Sequence, residues 1–338
     1  MKEALLYEKV GDDTVRCNLC SHRCKIQKGK RGICSVRENI DGKLYSLVYG
    51  KVIASHIDPI EKKPLYHFLP GTMSYSIATV GCNFSCKNCQ NFDISQASKG
   101  KGAKILGQDL MPEEIVNLAK KYKCESISYT YTEPTIFFEY ALDVSKLAKK
   151  ENLYNNFVTN GYMTEEMLRY SEGFIDAANV DLKSFSEKFY QKICGAHLEP
   201  VLSSLKLMKK MGVWVEITTL LIPTLNDSEE ELKEISNFIK DELGEETPWH
   251  ISRFHPDYKL LDFPPTPIEK IHRAREIGLD SGLRYVYSGN IPGDVGENTY
   301  CYNCKELLIK RFIFDVLENK IEKGKCPNCG AKIDGVFI

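Results

Sequence analysis

Eleven of the thirteen cysteines in this 338-residue chain fall into three short clusters, and only Cys124 and Cys194 stand alone. The densest cluster is Gly81–Asn91, GCNFSCKNCQN, in which Cys82, Cys86 and Cys89 are separated by three and two residues. Such clustering constrains the fold strongly, because each group of thiols must be gathered around a common centre. The opening segment MKEALLYEKVGDD has no leader-like apolar run, and no apolar stretch approaches the ~18 residues of a membrane helix. The expectation is a soluble, cytoplasmic protein with no membrane association, in which tight cysteine clusters hold metal rather than disulfides. Lys plus Arg number 45 against 46 Asp plus Glu. That balance argues against a general polyanion-binding role, so nucleic acid is not the expected partner.

Between residues 74 and 290 strand-like and helix-like segments alternate. SYSIATVG, SISYTYTEP, NNFVTNG, DAANVDLKS, VWVEITTLLIP, PWHISRFHP and LRYVYSGN read as strands. PEEIVNLAKKY, IFFEYALDVSKLAKKEN, TEEMLRYS, EPVLSSLKLMKKMG, DSEEELKEISNFIKDELG and TPIEKIHRAREIG read as helices. Thr164 is placed to cap one helix, and Ser228 with Glu231 has the capping-box spacing on another. Alternation at this spacing implies βαβ units and a parallel sheet. The expected fold is α/β, an open or partial (β/α) barrel of six or seven units, with a doubly wound sheet as the alternative. Residues 1–73 form a Cys-rich N-terminal extension and 291–338 a separate C-terminal segment.

Cys82 follows directly on the first strand of the array, and in parallel α/β barrels the carboxyl ends of the strands carry the chemistry. Three thiolates suit three irons of a cubane cluster. The fourth iron then lacks a protein ligand and is open to a small molecule. A zinc loop or a purely structural cluster is the alternative.

Cys-x3-Cys-x2-Cys in this position resembles the radical S-adenosylmethionine (SAM) enzymes, although Asn88 stands where that family usually has an aromatic residue. The resemblance implies a partial (β/α)6 radical SAM barrel whose [4Fe-4S] cluster, held by Cys82, Cys86 and Cys89, chelates SAM and cleaves it reductively. The resulting 5′-deoxyadenosyl radical takes hydrogen from a substrate. It further implies SAM contacts at the strand ends: Thr132, Glu133 and Pro134 in YTEPT, with Glu133 facing the ammonium; Thr159 and Asn160 in VTNG; Asp181 and Lys183 in VDLK, with Lys183 facing a carboxylate; and His255 in RFHP. Each of these has a plainer reading as a helix cap or a loop residue.

CNLCSHRC, DPIEKKPLYHFLPG, DLKSFSEKFY, SGNIPGDVGENTYCYNC and CPNCG together resemble one subgroup, the AmmeMemoRadiSam system radical SAM enzymes, related to pyruvate formate-lyase activating enzyme. That likeness implies Memo-like and AMMECR1-like protein partners and an electron donor such as a flavodoxin or ferredoxin. An activating enzyme acting on a protein glycine is the alternative within the family. A metal-stabilised RNA-binding or scaffold protein, or a simple electron carrier, is the alternative outside it.

The pairs Cys301/Cys304 and Cys326/Cys329, with 21 residues between them, read as tetrahedral zinc in a ribbon-like tail. Cys17, Cys20, Cys24 and Cys34 lie in a Lys/Arg/Gly-rich stretch with little apolar periodicity, which a metal would have to order. Their thiolates suit either zinc or a second cluster, with structural zinc favoured. Cys124 and Cys194 read as ordinary thiols.

Overall fold

The computed structural model describes residues 1–100 and 102–338. Its centre is a nine-stranded sheet. Seven strands are parallel and follow one another in chain order: Met73–Thr79, Ser126–Tyr129, Tyr154–Thr159, Ala177–Asp181, Trp214–Leu221, Trp249–Arg253 and Val286–Gly289. The sheet is open, ending at Val286–Gly289 on one side and Gln108–Asp109 on the other. From Ser74 to Thr79 every residue of the first parallel strand is buried, as expected for a strand covered on both faces.

The intervening helices start where the sequence places their caps. Thr164 Oγ1 accepts from Met167 N at 3.2 Å, and Ser228 Oγ accepts from Glu231 N at 3.2 Å. The second cap differs from the expected box. Glu231 turns its carboxylate away from the helix start and accepts from Ser184 Oγ and from Phe185 N at 2.8 Å. Glu231, in the first turn, thereby ties its helix to the loop after the fourth parallel strand.

One strand assigned by sequence to the N-terminal extension belongs to the central sheet. Lys51–Pro59 pairs antiparallel with Met73–Thr79. The loop from 60 to 72 then runs beneath the sheet, where buried Glu216 accepts from Tyr66 N at 3.0 Å and His67 N at 2.8 Å. Glu216 also accepts from Trp214 Nε1 at 3.0 Å, and His250 Nε2 lies 2.7 Å away. A carboxylate so surrounded is buried without an orphaned oxygen.

The N-terminal segment forms two three-stranded antiparallel sheets. Val15, Leu19, Ile26, Val36 and Leu44 are buried and continuous with the main core. Apolar packing therefore orders this segment, which its polar composition had concealed. Arg37 joins it to the helix Phe138–Lys150 through a bidentate pair with Glu139, both contacts at 2.8 Å. In the tail, Thr299–Tyr300, Leu307–Phe312 and Asp315–Asn319 form an antiparallel sheet over a small core of their own. Arg311 fastens the tail to the loop beneath the sheet, donating to Tyr66 O at 2.9 Å. No helix among the described residues is long and apolar enough to cross a membrane.

Candidate functional site

The chain leaves the first parallel strand through Gly81, whose φ is +108°. A Cβ there would lie 2.7 Å from Val36 Cγ1 and 3.3 Å from the Cys34 carbonyl oxygen. Glycine is thus required both by the backbone angle and by the close approach of the N-terminal segment. The turn delivers Cys82, Cys86 and Cys89 to one cavity of about 510 Å³ at the carboxyl ends of the parallel strands, a size usual for small-molecule sites.

Thr132, Glu133, Thr159, Asn160, Asp181 and Lys183 line the same cavity. Two other residues singled out by sequence do not. Pro134 is buried as the first residue of a short 3-10 turn, and His255 is exposed in the loop after the sixth parallel strand.

Local hydrogen bonds hold the loop. Phe84 N donates to Cys82 Sγ at 3.3 Å, and Ser95 Oγ lies 3.2 Å from Cys89 Sγ. Phe84 is itself buried against the cavity. Burial pushes the Cys82 and Cys89 thiols up. Cys86 is drawn down to about 7, first by a hydrogen bond with the Cys194 thiol and further by the Lys183 ammonium. Cys194, fully buried behind Cys86 and not lining the cavity, is correspondingly pushed up.

Glu133 is 1% exposed. Its Oε1 accepts from Thr135 N at 3.0 Å, Thr135 Oγ1 at 2.6 Å and Thr159 Oγ1 at 2.7 Å, and its Oε2 accepts from Asn160 N at 2.8 Å. These bonds tie the second strand end to the third. No Lys, Arg or His pairs with this carboxylate among the described residues, and burial raises its pKa against the pull of its donors. Lys183 Nζ donates to Asp181 Oδ2 at 2.7 Å. Burial works against its charge, but Asp181, Cys86 and Cys194 hold it well above its ordinary value.

Sequence reasoning missed several lining residues. Thr218 lies within the fifth strand and Ser252 one residue before the end of the sixth, and the pairing of Thr218 with Asp181 would have located the first of these. Lys63, buried and paired with Asp58 at 2.6 Å, comes from the loop beneath the sheet. Phe314 reaches the cavity from the turn between the last two tail strands, and nothing local in the sequence signals that. At the other cysteine clusters, the sulfur atoms of Cys301, Cys304, Cys326 and Cys329 all lie within 4.8 Å of one another. Cys17, Cys20, Cys24 and Cys34 line a separate small void.

An α/β array with three cysteines at the exit of its first parallel strand is the radical SAM fold, and the chain carries a radical SAM superfamily domain. The family model described as Radical SAM superfamily matches residues 76–239, from the first parallel strand through the helix Glu229–Phe238. The chain is accordingly an enzyme of radical SAM type, a class that implies a [4Fe-4S] cluster and SAM.

An uncharacterized protein of Methanocaldococcus jannaschii is 51% identical over 339 residues, 100% of each chain. The pyruvate formate-lyase-activating enzyme of Clostridium pasteurianum is 27% identical over 218 residues, 60% of this chain and 87% of that one. A putative glycyl-radical enzyme activating enzyme of M. jannaschii is 28% identical over 208 residues, 60% and 76% of the two chains. The crystal structure of a radical SAM methyltransferase from Sphaerobacter thermophilus shares the fold, with 18% identity, a TM-score of 0.51, and 68% and 71% of the two chains covered.

Proposed function

We propose that Cys82, Cys86 and Cys89 hold the [4Fe-4S] cluster and that SAM binds beside it in the 510 Å³ cavity. The carrying observation is that the three thiols share this cavity with a buried carboxylate that no cation among the described residues pairs, Glu133, and with the Asp181–Lys183 pair. These residues fit the group. No fourth cysteine lines the cavity among the described residues. Asn88 Oδ1, also in the wall, is buried with no hydrogen-bond partner among the described residues, so the site holds an acceptor still in want of a donor. When bound, the cluster and SAM supply a 5′-deoxyadenosyl radical that abstracts hydrogen from the substrate.

The protein's part is binding and orientation. Glu133 offers the ammonium of SAM a counter-charge, and its bonds to Thr159 and Asn160 fix where that charge sits. Lys183 offers the carboxylate of SAM a cation, and Asp181 keeps it directed into the cavity. Thr132 shapes the wall between them, and Pro134 sets the turn that follows. His255, exposed and outside the wall, is left out of the proposed contacts.

The four tail thiols fit zinc. Cys301 and Cys329 Sγ stand 3.6 Å apart, as do Cys304 and Cys326 Sγ. Four Zn–S bonds of ~2.3 Å in a tetrahedron put sulfurs about 3.8 Å apart. With Phe314 at the cavity, the tail forms part of the mouth through which a substrate enters. A flavodoxin- or ferredoxin-class donor would supply the electron. Membership of the AmmeMemoRadiSam subgroup, with Memo-like and AMMECR1-like partners, rests on the sequence segments given above. Activation of a glycyl-radical enzyme is the second reading, favoured by the likeness to proteins of that name.

The test is 5′-deoxyadenosine formation by reconstituted, dithionite-reduced protein supplied with SAM. Formation that disappears in Cys86→Ala is expected. None formed by wild-type protein with an intact cluster would overturn the proposal.

A further inference from the structure

We propose that Cys17, Cys20, Cys24 and Cys34 hold a second iron–sulfur cluster, of the cubane type, at a site separate from the Cys82 cavity. The spacing of thiols distinguishes a single zinc ion from a cluster. Thiolates on one zinc ion touch one another, as the tail cysteines nearly do. Thiolates on separate irons of a cubane are held apart by the cluster between them. Among the described residues only the tail brings three or more candidate ligand atoms within 4.8 Å of one another. Neither the N-terminal four nor Cys82, Cys86 and Cys89 draw three sulfurs together as tightly as the zinc-type tail does. They ring a void of about 10 Å³, room for a water-sized sphere where a zinc tetrathiolate would leave none.

The rest of the wall suits the same occupant. Leu19, Ile26 and Ile136 give it an apolar lining, which keeps water from a cluster. Arg37 also lines the void, and its side chain is 2% exposed. Both of its terminal nitrogens are committed to Glu139, but its Nε is buried with no acceptor among the described residues. A buried N–H without a partner is costly, and the sulfur of an anionic cluster is an acceptor for it; hydrogen bonds to cluster sulfurs are a usual means of tuning such centres.

The two cysteine sites are distinct but back to back. None of the four N-terminal cysteines lines the 510 Å³ cavity. Yet His22 Nε2 is 2.9 Å from the carbonyl oxygen of Asn83, next to Cys82, and Ser98 Oγ donates to the Cys34 carbonyl at 3.4 Å. The N-terminal thiols therefore stand behind the Cys82 loop and cannot serve as a fourth ligand to its cluster.

Iron, acid-labile sulfide and zinc counted on the anaerobically prepared full chain test the assignment. About eight irons, eight sulfides and one zinc are expected; about four irons with two zincs would overturn it. In the triple variant Cys82→Ala/Cys86→Ala/Cys89→Ala, about four irons should remain, with an EPR signal indifferent to SAM. A colourless triple variant carrying zinc at the N-terminus would overturn it as well. Cys24→Ser, at a half-buried ligand, should halve the iron and leave the zinc unchanged; loss of zinc instead would sink the proposal. Failure of the Cys82 reading shows differently, as a wild-type EPR spectrum that SAM does not alter.

Discussion

Lys183 Nζ donates to Asp181 Oδ2 at 2.7 Å across the end of the fourth parallel strand. Both side chains line the cavity with Cys86, so the cation is held in place before any ligand arrives. Lys183→Met should weaken SAM binding by roughly tenfold to a hundredfold, the loss of one hydrogen bond to a charged group. Equilibrium dialysis of the cluster-loaded protein measures it. Unchanged affinity would remove Lys183 from the SAM site.

Arg37→Met leaves Glu139 buried and without its cation. Breaking one side of a buried pair costs about 3–5 kcal/mol. Chemical denaturation should show a loss of that order. Arg37→Met with Glu139→Leu should recover much of it, because the second change removes the stranded charge, although Leu5 N then loses its acceptor on Glu139.

His67 gives the fold an acid-sensitive joint. Its Nδ1 lies 2.6 Å from the Asp334 carbonyl oxygen and its Nε2 lies 2.6 Å from the Tyr287 hydroxyl. The neutral ring satisfies both contacts, with Nδ1–H donating and Nε2 accepting. Burial draws its pKa from the ordinary 6.5 to about 4. The unfolded chain therefore takes up a proton on descending through pH 6.5 while the folded chain does not until about pH 4. Stability from this group is fully present above pH 6.5 and falls by about 3 kcal/mol over that window. Urea denaturation at pH 7 and pH 5 should show the fall, and His67→Gln should show less of it.

Removing the proposed tail zinc should loosen the tail and spare the parallel sheet. In Cys326→Ser one zinc per chain should be lost, and hydrogen exchange should quicken over 299–319 while the parallel strands stay protected. Equal protection of the tail with and without metal would mean that Leu308, Ile309 and Ile333 suffice to hold it.

The alternating strands and helices were legible because each is a local pattern: runs such as VWVEITTLL for strands buried on both faces, and Thr164 or Ser228 at helix starts. The cysteine triad was legible from spacing, and the strand-end residues from where each strand stops. What escaped were partnerships made across the fold. Glu216 bonds Tyr66 N 150 positions away, Cys194 meets Cys86, and Phe314 enters a cavity built from other strands. Lys51–Pro59 escaped for a related reason, since the Pro64–Gly71 loop separates it from the strand it pairs with.

Leu69 N donates to Val336 O at 2.8 Å, so the segment beneath the sheet gains a backbone partner made more than two hundred residues later in translation. A ribosome that has finished the last parallel strand has still not produced the clasp for Leu69. Closing so long a loop costs entropy, and the backbone partner of Leu69 exists only once Val336 has been made.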